Sequence, residues 1–141
     1  MRCPFCAIVA GEEKAWKVYE DEKNVSFLDI YPVTEGHTLV IPKKHIIWFH
    51  DLTPEDAGPF FRAVWITSQK LKKVFAVDYI SLLIRGTRIP HLHAHLIPKR
   101  KEVDNIFDKI LDLHHYLQVR LKDVPSWEEL EKIAERIREE G

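Results

Sequence analysis

The stretch His91-Leu92-His93-Ala94-His95-Leu96-Ile97-Pro98 sets three imidazoles at every second position. On an extended strand side chains alternate faces, so His91, His93 and His95 share one face and Leu92, Ala94 and Leu96 take the other as core. Successive rings then stand about 6–7 Å apart at their bases. Imidazole changes charge near neutral pH, attacks as a nucleophile, moves protons and ligates metals. Two chemistries are open. The rings could hold a Zn²⁺ ion with a free position, as a metal hydrolase requires. Alternatively, one ring attacks phosphorus while its neighbours hold the phosphate oxygens. Ligands of one ion converge within about 4 Å, whereas rings at i and i+4 of a strand start about 13 Å apart, so one ion cannot take all three. A pair at i and i+2 could still share one.

Cys3-x-x-Cys6 is the second chemical candidate. A redox CxxC follows a buried strand and opens a helix, and residue 3 leaves no room for that strand. Half of a zinc site would need two more nitrogen or sulfur ligands, which eight histidines can supply. An ordinary pair of thiols remains the simple alternative.

The elements that must carry these groups can be read from pattern. Residues 17–20 and 25–30 predict two strands of a hairpin around the acidic turn at 21–24. Residues 37–41 form an apolar strand stopped by Pro42, and 79–84 predict another, joined by a tight connection to an antiparallel triad strand over 91–97 that Pro98 closes. Thr53-Pro54-Glu55-Asp56 is a helix start, with Thr as N-cap, Pro in the first turn and acids at the positive dipole end. Phe61, Val64, Trp65, Ser68, Leu71 and Phe75 predict its buried stripe. Pro59 predicts a kink or a later start. Ser126-Trp127-Glu128-Glu129 is a capping box opening a last helix with the stripe Trp127, Leu130, Ile133, Ala134 and Ile137. Between them a short helix at 106–111 and a strand at 117–121 are expected. Antiparallel strands with two main helices make an α+β fold, and residues 1–141 read as a single domain.

Composition excludes several classes of function. Hydrophobic residues at 45% and charged residues at 30% describe a globular chain. Lys+Arg (21) nearly balance Asp+Glu (22), so no general electrostatic footprint for nucleic acid or membrane exists, and anion binding must be local. The first residues lack an apolar signal region and no stretch approaches bilayer length, so a cytoplasmic protein is expected.

Four segments, Cys3-Pro-Phe-Cys6, Phe27-Leu-Asp29-Ile30, Gly36-His-Thr-Leu-Val-Ile-Pro-Lys-Lys-His45 and His91-x-His93-x-His95-Leu-Ile-Pro98, together resemble the histidine triad (HIT) family. The similarity covers about residues 1–100, with a looser echo in the last helix. It implies a HIT-like fold around a five-stranded antiparallel sheet, a homodimer, and hydrolysis or transfer of nucleotidyl groups. His93 matches the family's nucleophile, which attacks the α-phosphorus to give a covalent nucleotidyl-histidine that water hydrolyses. His95 matches the histidine that hydrogen-bonds a phosphate oxygen. Phe5, Ile8, Phe27 and Ile30 match the apolar walls of the base pocket, and Asp29 the carboxylate that accepts from ribose hydroxyls. On their own, Phe27 and Ile30 would read as core and Asp29 as a turn residue. Some bacterial members carry a structural zinc, whose ligands match Cys3, Cys6, His45 and His91. Such a closed tetrahedral set has no water to activate, and it frees His93 and His95 for phosphate.

The chain departs from the family just before the triad. There the family has a longer loop with an Asn and a Gly-Gln-Ser-type segment, and this chain has Ile84-Arg85-Gly86-Thr87-Arg88-Ile89-Pro90. Thr87 stands where Gln is usual and Arg88 where Ser is usual. Both are candidate substrate contacts, and guanidinium groups there would suit a more anionic substrate. The alternative leaves Arg85 and Arg88 as solvent-facing loop residues. His37 reads as either a neighbour of the nucleotide pocket or a core residue; His50, His114 and His115 have no motif around them.

Overall fold

The computed structural model describes residues 2–99, 109–110, 113 and 126–140. The chain divides into two compact units, Met1–Asn105 and Ile106–Gly141. In the first, five strands, β1 (Lys17–Glu20), β2 (Asn24–Leu28), β3 (Thr38–Pro42), β4 (Tyr79–Ile84) and β5 (Ala94–Lys99), form one antiparallel sheet in the order β1-β2-β3-β5-β4. The α+β reading with a five-stranded sheet is borne out.

The β1–β2 hairpin closes where the acidic turn was expected. Asp21 Oδ1 accepts from the Lys23 and Asn24 amides at 2.9 and 2.7 Å, an Asx turn that satisfies two donors leaving the strand. β2 ends at Leu28 rather than at residue 30. Asp29 turns the chain by accepting the Tyr31 amide at 2.8 Å, and Ile30 is left 65% exposed. β3 runs on through Pro42, which pairs with Asn24 as the last residue of its strand, where its missing N–H costs least.

Helix α2 (Pro54–Phe75) covers one face of the sheet. Thr53 caps it by accepting the Asp56 amide at 3.3 Å. The helix starts at Pro54 in spite of Pro59. Pro59 cannot donate to the carbonyl four residues back, that of Glu55, and Lys23 Nζ donates to that oxygen instead at 3.4 Å. The expected stripe is corrected: Phe60, Ala63, Val64, Thr67 and Leu71 are buried, while Phe61 and Trp65 are exposed and Ser68 is not buried. Small side chains at Ala63 and Thr67 set the closest approach. Thr67 donates to the Ala63 carbonyl at 2.8 Å, and Ser26 Oγ lies 2.7 Å from Thr67 Oγ1 in the buried interface. Phe60, Leu71, Val40, Leu92, Ala94 and Leu96 fill the rest of this layer. Each large apolar side chain buried there contributes about 1.5–3 kcal/mol.

Helix α1 (Pro4–Val9) lies against the opposite face, over Val25, Phe27, Leu39 and Ile41. Leu39 and Ile41 point there while Val40 joins the α2 layer, as strand alternation demands.

In the second unit, α3 (Trp127–Glu139) opens with the predicted capping box. Ser126 Oγ accepts from the Glu129 amide at 3.2 Å, and Glu129 Oε2 accepts from the Ser126 amide at 2.7 Å. The expected strand at 117–121, most of the helix at 106–111, His114 and His115 lie outside the described residues. Among the described residues no helix is long and apolar enough to cross a membrane.

Candidate active site

The triad strand is shorter at its start than expected. β5 begins at Ala94 and runs through Pro98 to Lys99, pairing Pro98 with Ile80. The ladder to β3 stops at Val40 and Ala94. Before it, the Leu92 amide donates to the Ile46 carbonyl at 2.6 Å, so His91 and Leu92 are held by the segment after β3 rather than by a sheet partner. The alternation survives nonetheless. Leu92, Ala94 and Leu96 enter the α2 core, and the three rings line the face beneath α1.

His91 is fully buried, and its Nε2 lies 2.8 Å from the Pro42 carbonyl. A carbonyl only accepts, so the proton sits on Nε2 and the Nδ1 lone pair faces Cys3 Sγ at 3.4 Å and Cys6 Sγ at 3.6 Å. Cys6 Sγ lies 3.2 Å from His45 Nδ1. The four donor atoms of Cys3, Cys6, His45 and His91 all fall within 4.8 Å of one another. Zinc bonds of about 2.3 Å to sulfur and 2.0–2.1 Å to nitrogen need donors spaced about 3.3–3.8 Å, which this set fits after small shifts. Burial pushes the Cys6 thiol up, with Cys3 adding to it, and pushes the His91 imidazolium down. Histidine therefore presents its neutral, ligating form. The Pro42 carbonyl is the outer partner that fixes its tautomer.

His93 is 5% exposed, with its Nδ1 2.7 Å from the His91 carbonyl. That contact takes the Nδ1–H and leaves a lone pair on Nε2. Phe5 stands edge-on to His93 and His91, with ring centres 5.2 and 5.8 Å away, and also to Phe27 at 5.7 Å. Ile8 packs on the same apolar cluster.

His95 is wired through His37, a residue the sequence left undecided. The Val33 amide donates to His37 Nδ1 at 3.0 Å, so the proton of a neutral His37 must be on Nε2. That nitrogen lies 2.9 Å from His95 Nδ1 and donates to it, which puts the His95 proton on Nε2 as an outward donor. Burial holds His37 below the usual histidine range, against the pull of Asp29. Burial, with His93 and His37 beside it, lowers His95 to about 4. Asp29, His37 and His95 form a second cluster of metal-capable donors. There His37 Nε2 carries a proton and has no lone pair for an ion, so the cluster works as a proton-ordered chain. Gly36-His37 in the third quoted segment was the sequence signal for it.

Asp29 accepts the Tyr31 amide through Oδ1, and its Oδ2 lies 3.6 Å from His37 Nε2, where its charge acts on the ring without a hydrogen bond. Ile30, Thr87 and Arg88 are exposed, and His50 is an exposed residue whose ring lies parallel to Trp48.

Residues 10–102 match the model of the HIT domain. The chain is 34% identical over 138 residues to the adenosine 5'-monophosphoramidase HNT1 of Saccharomyces cerevisiae, covering 85% of this chain and 83% of the yeast protein. It superposes on SMU.412c from Streptococcus mutans UA159 with a TM-score of 0.79 at 33% identity, over 98% of this chain and 84% of that one. A Zn-bound histidine triad family protein from Mycobacterium smegmatis gives a TM-score of 0.70 at 34% identity, over 76% and 81%. With its ordered triad, its five-stranded sheet and a domain match over most of its length, this chain belongs to the HIT-domain family.

Proposed function

We propose that this protein is a nucleotide hydrolase or nucleotidyl transferase acting at the α-phosphate of a nucleoside phosphate derivative. The observation that carries the reading is the pair of fixed tautomers, His93 with a free Nε2 lone pair and His95 with an Nε2–H. His93 Nε2 bonds to the α-phosphorus as the bond to the leaving group breaks. The leaving group departs with its electron pair and takes a proton from solvent, while His95 donates to a phosphate oxygen. Water then attacks phosphorus, the P–N bond to His93 breaks, and a nucleoside monophosphate is released. The similarity to a yeast adenosine 5'-monophosphoramidase supports a phosphoramidate bond among those cleaved, and a phosphoric anhydride presents the same α-phosphorus to His93.

Phe5, Ile8, Phe27 and Ile30 form the base pocket in this reading, and Asp29 holds the ribose. Thr87 and Arg88 face the leaving group. Cys3, Cys6, His45 and His91 would hold a zinc ion, which would supply folding energy and, with four protein ligands, no position for water or substrate. This argues against a zinc-dependent hydrolase. A homodimer is supported by the exposed apolar side chains of Phe61, Trp65 and Leu82, and sedimentation at twice 16.6 kDa tests it. Reduced thiols at the metal cluster suit the cytoplasm.

The test is His93→Asn. Turnover of adenosine 5'-phosphoramidate should vanish, with mononucleotide affinity kept within about tenfold because base and ribose contacts remain. Acid quench with labelled substrate should trap label on the wild type and not on the variant. A fully active His93→Asn protein sinks the covalent mechanism.

A further inference from the structure

We propose that Arg85 selects the leaving group, favouring substrates whose α-phosphate is joined to a further phosphate over those that release an amine. This rests on the nucleotidyl-transfer reading above and names its substrate class.

Geometry comes first. In the β4–β5 ladder Leu83 lies opposite His95 and Ile84 opposite Ala94. Facing residues of an antiparallel pair share a face, and Ile84 accordingly packs with Ala94 on the α2 core. The alternation carried one step beyond Ile84 turns Arg85 to the face of His93 and His95. Second, the same placement brings the charge of Arg85 near enough to His95 to disfavour its imidazolium, less than burial, His93 and His37 do. Third, Arg85 is exposed and has no ion-pair partner among the described residues, so its charge is available to a ligand.

The next residue holds this arrangement in place. Gly86 has φ +72°, and a Cβ there would come within 2.8 Å of the Trp48 ring. Trp48 thus seats the bend directly after Arg85, and only glycine fits beneath it. The shortened loop is fixed where it leaves the sheet.

The chemistry decides what the charge is for. When His93 Nε2 bonds to the α-phosphorus and the bridging P–O bond breaks, the electron pair stays on the departing phosphate. A guanidinium takes two such oxygens at once. An amine leaving group offers no oxygen and gains nothing from it.

The experiment compares kcat/KM for diadenosine tetraphosphate and adenosine 5'-phosphoramidate in wild type, Arg85→Ala and Arg85→Lys. Arg85→Ala should lower the ratio of the two by about 10–100-fold, and Arg85→Lys should restore part of it. An unchanged ratio overturns the proposal even if both rates fall. If the wild type turns over neither compound, the nucleotidyl-transfer reading fails, and calorimetry with ADP and AMP decides for Arg85. A selective loss of ADP affinity in Arg85→Ala keeps its phosphate role, and equal affinities end it.

Discussion

The Nδ1 of His93 lies 2.7 Å from the carbonyl oxygen of His91, two residues before it. One residue thereby serves two sites. The ring of His91 faces the thiols, and its backbone fixes which nitrogen of His93 stays free. The candidate metal cluster and the proposed nucleophile are thereby coupled through one residue rather than through a shared ligand.

His37 should be a positioning residue whose loss is read in kcat more than in KM. His37→Ala removes the donor to His95 Nδ1, frees His95 to change tautomer, and should lower kcat by about 10–100-fold. His37→Gln, which can still donate an N–H, should recover part of that loss. Equal losses of kcat/KM in both variants, carried by KM with kcat preserved, would reduce His37 to packing.

Stability should fall with acid between about pH 6.5 and 4 through His95. Its folded value is about 4 against an ordinary 6.5, so in that window the unfolded chain binds more protons. The contribution is present in full above pH 6.5 and lost as pH falls through 4. With allowance for the partial exposure of the ring, about 1–2 kcal/mol is at stake. Denaturant melts at pH 7 and 4.5 should show a shallower pH dependence for His95→Asn than for wild type.

Protein purified without chelator should carry about one zinc per chain. Stripping it should lower Tm more than it lowers activity per folded molecule, because binding at such a site is folding free energy. Cys6→Ser should reproduce the loss of Tm. Turnover that vanishes with the metal while the fold persists would point to a catalytic ion instead.

The Ser26–Thr67 contact in the buried α2 interface gives a stability test remote from the chemistry. Thr67→Val leaves the Ser26 hydroxyl without its partner and should cost about 1–3 kcal/mol. Ser26→Ala with Thr67→Val removes both polar groups and should cost less than the single change. Chemical denaturation of the three proteins checks the order.

Alternation in the triad and the cap residues of Thr53 and Ser126 were local signals, and the strands and helices they predicted are present. The α2 stripe was misjudged because apolar size favoured Phe61 and Trp65, whereas close approach to the sheet favours Ala63 and Thr67. No periodicity reports which face a sheet will come nearest. The first residues of the triad segment were assigned to a strand because their pattern is extended. Their partner is the Ile46 carbonyl, a contact set by the path of the chain after Pro42. His37 was undecided for a similar reason: its role depends on two nitrogens and on the neighbour each one finds.

The thiol of Cys3 and the ring of His91 meet across 88 positions of sequence. During synthesis the thiols emerge first and stay without the His91 imidazole until the segment leading into β5 has been made. The Cys3–His91 contact therefore closes late, with a large loop entropy, while the β1–β2 hairpin can form as soon as it appears. Nascent chains halted before His91 carry two neighbouring thiols whose imidazole partner is still to be made, which makes that interval the one in which oxidation competes with folding.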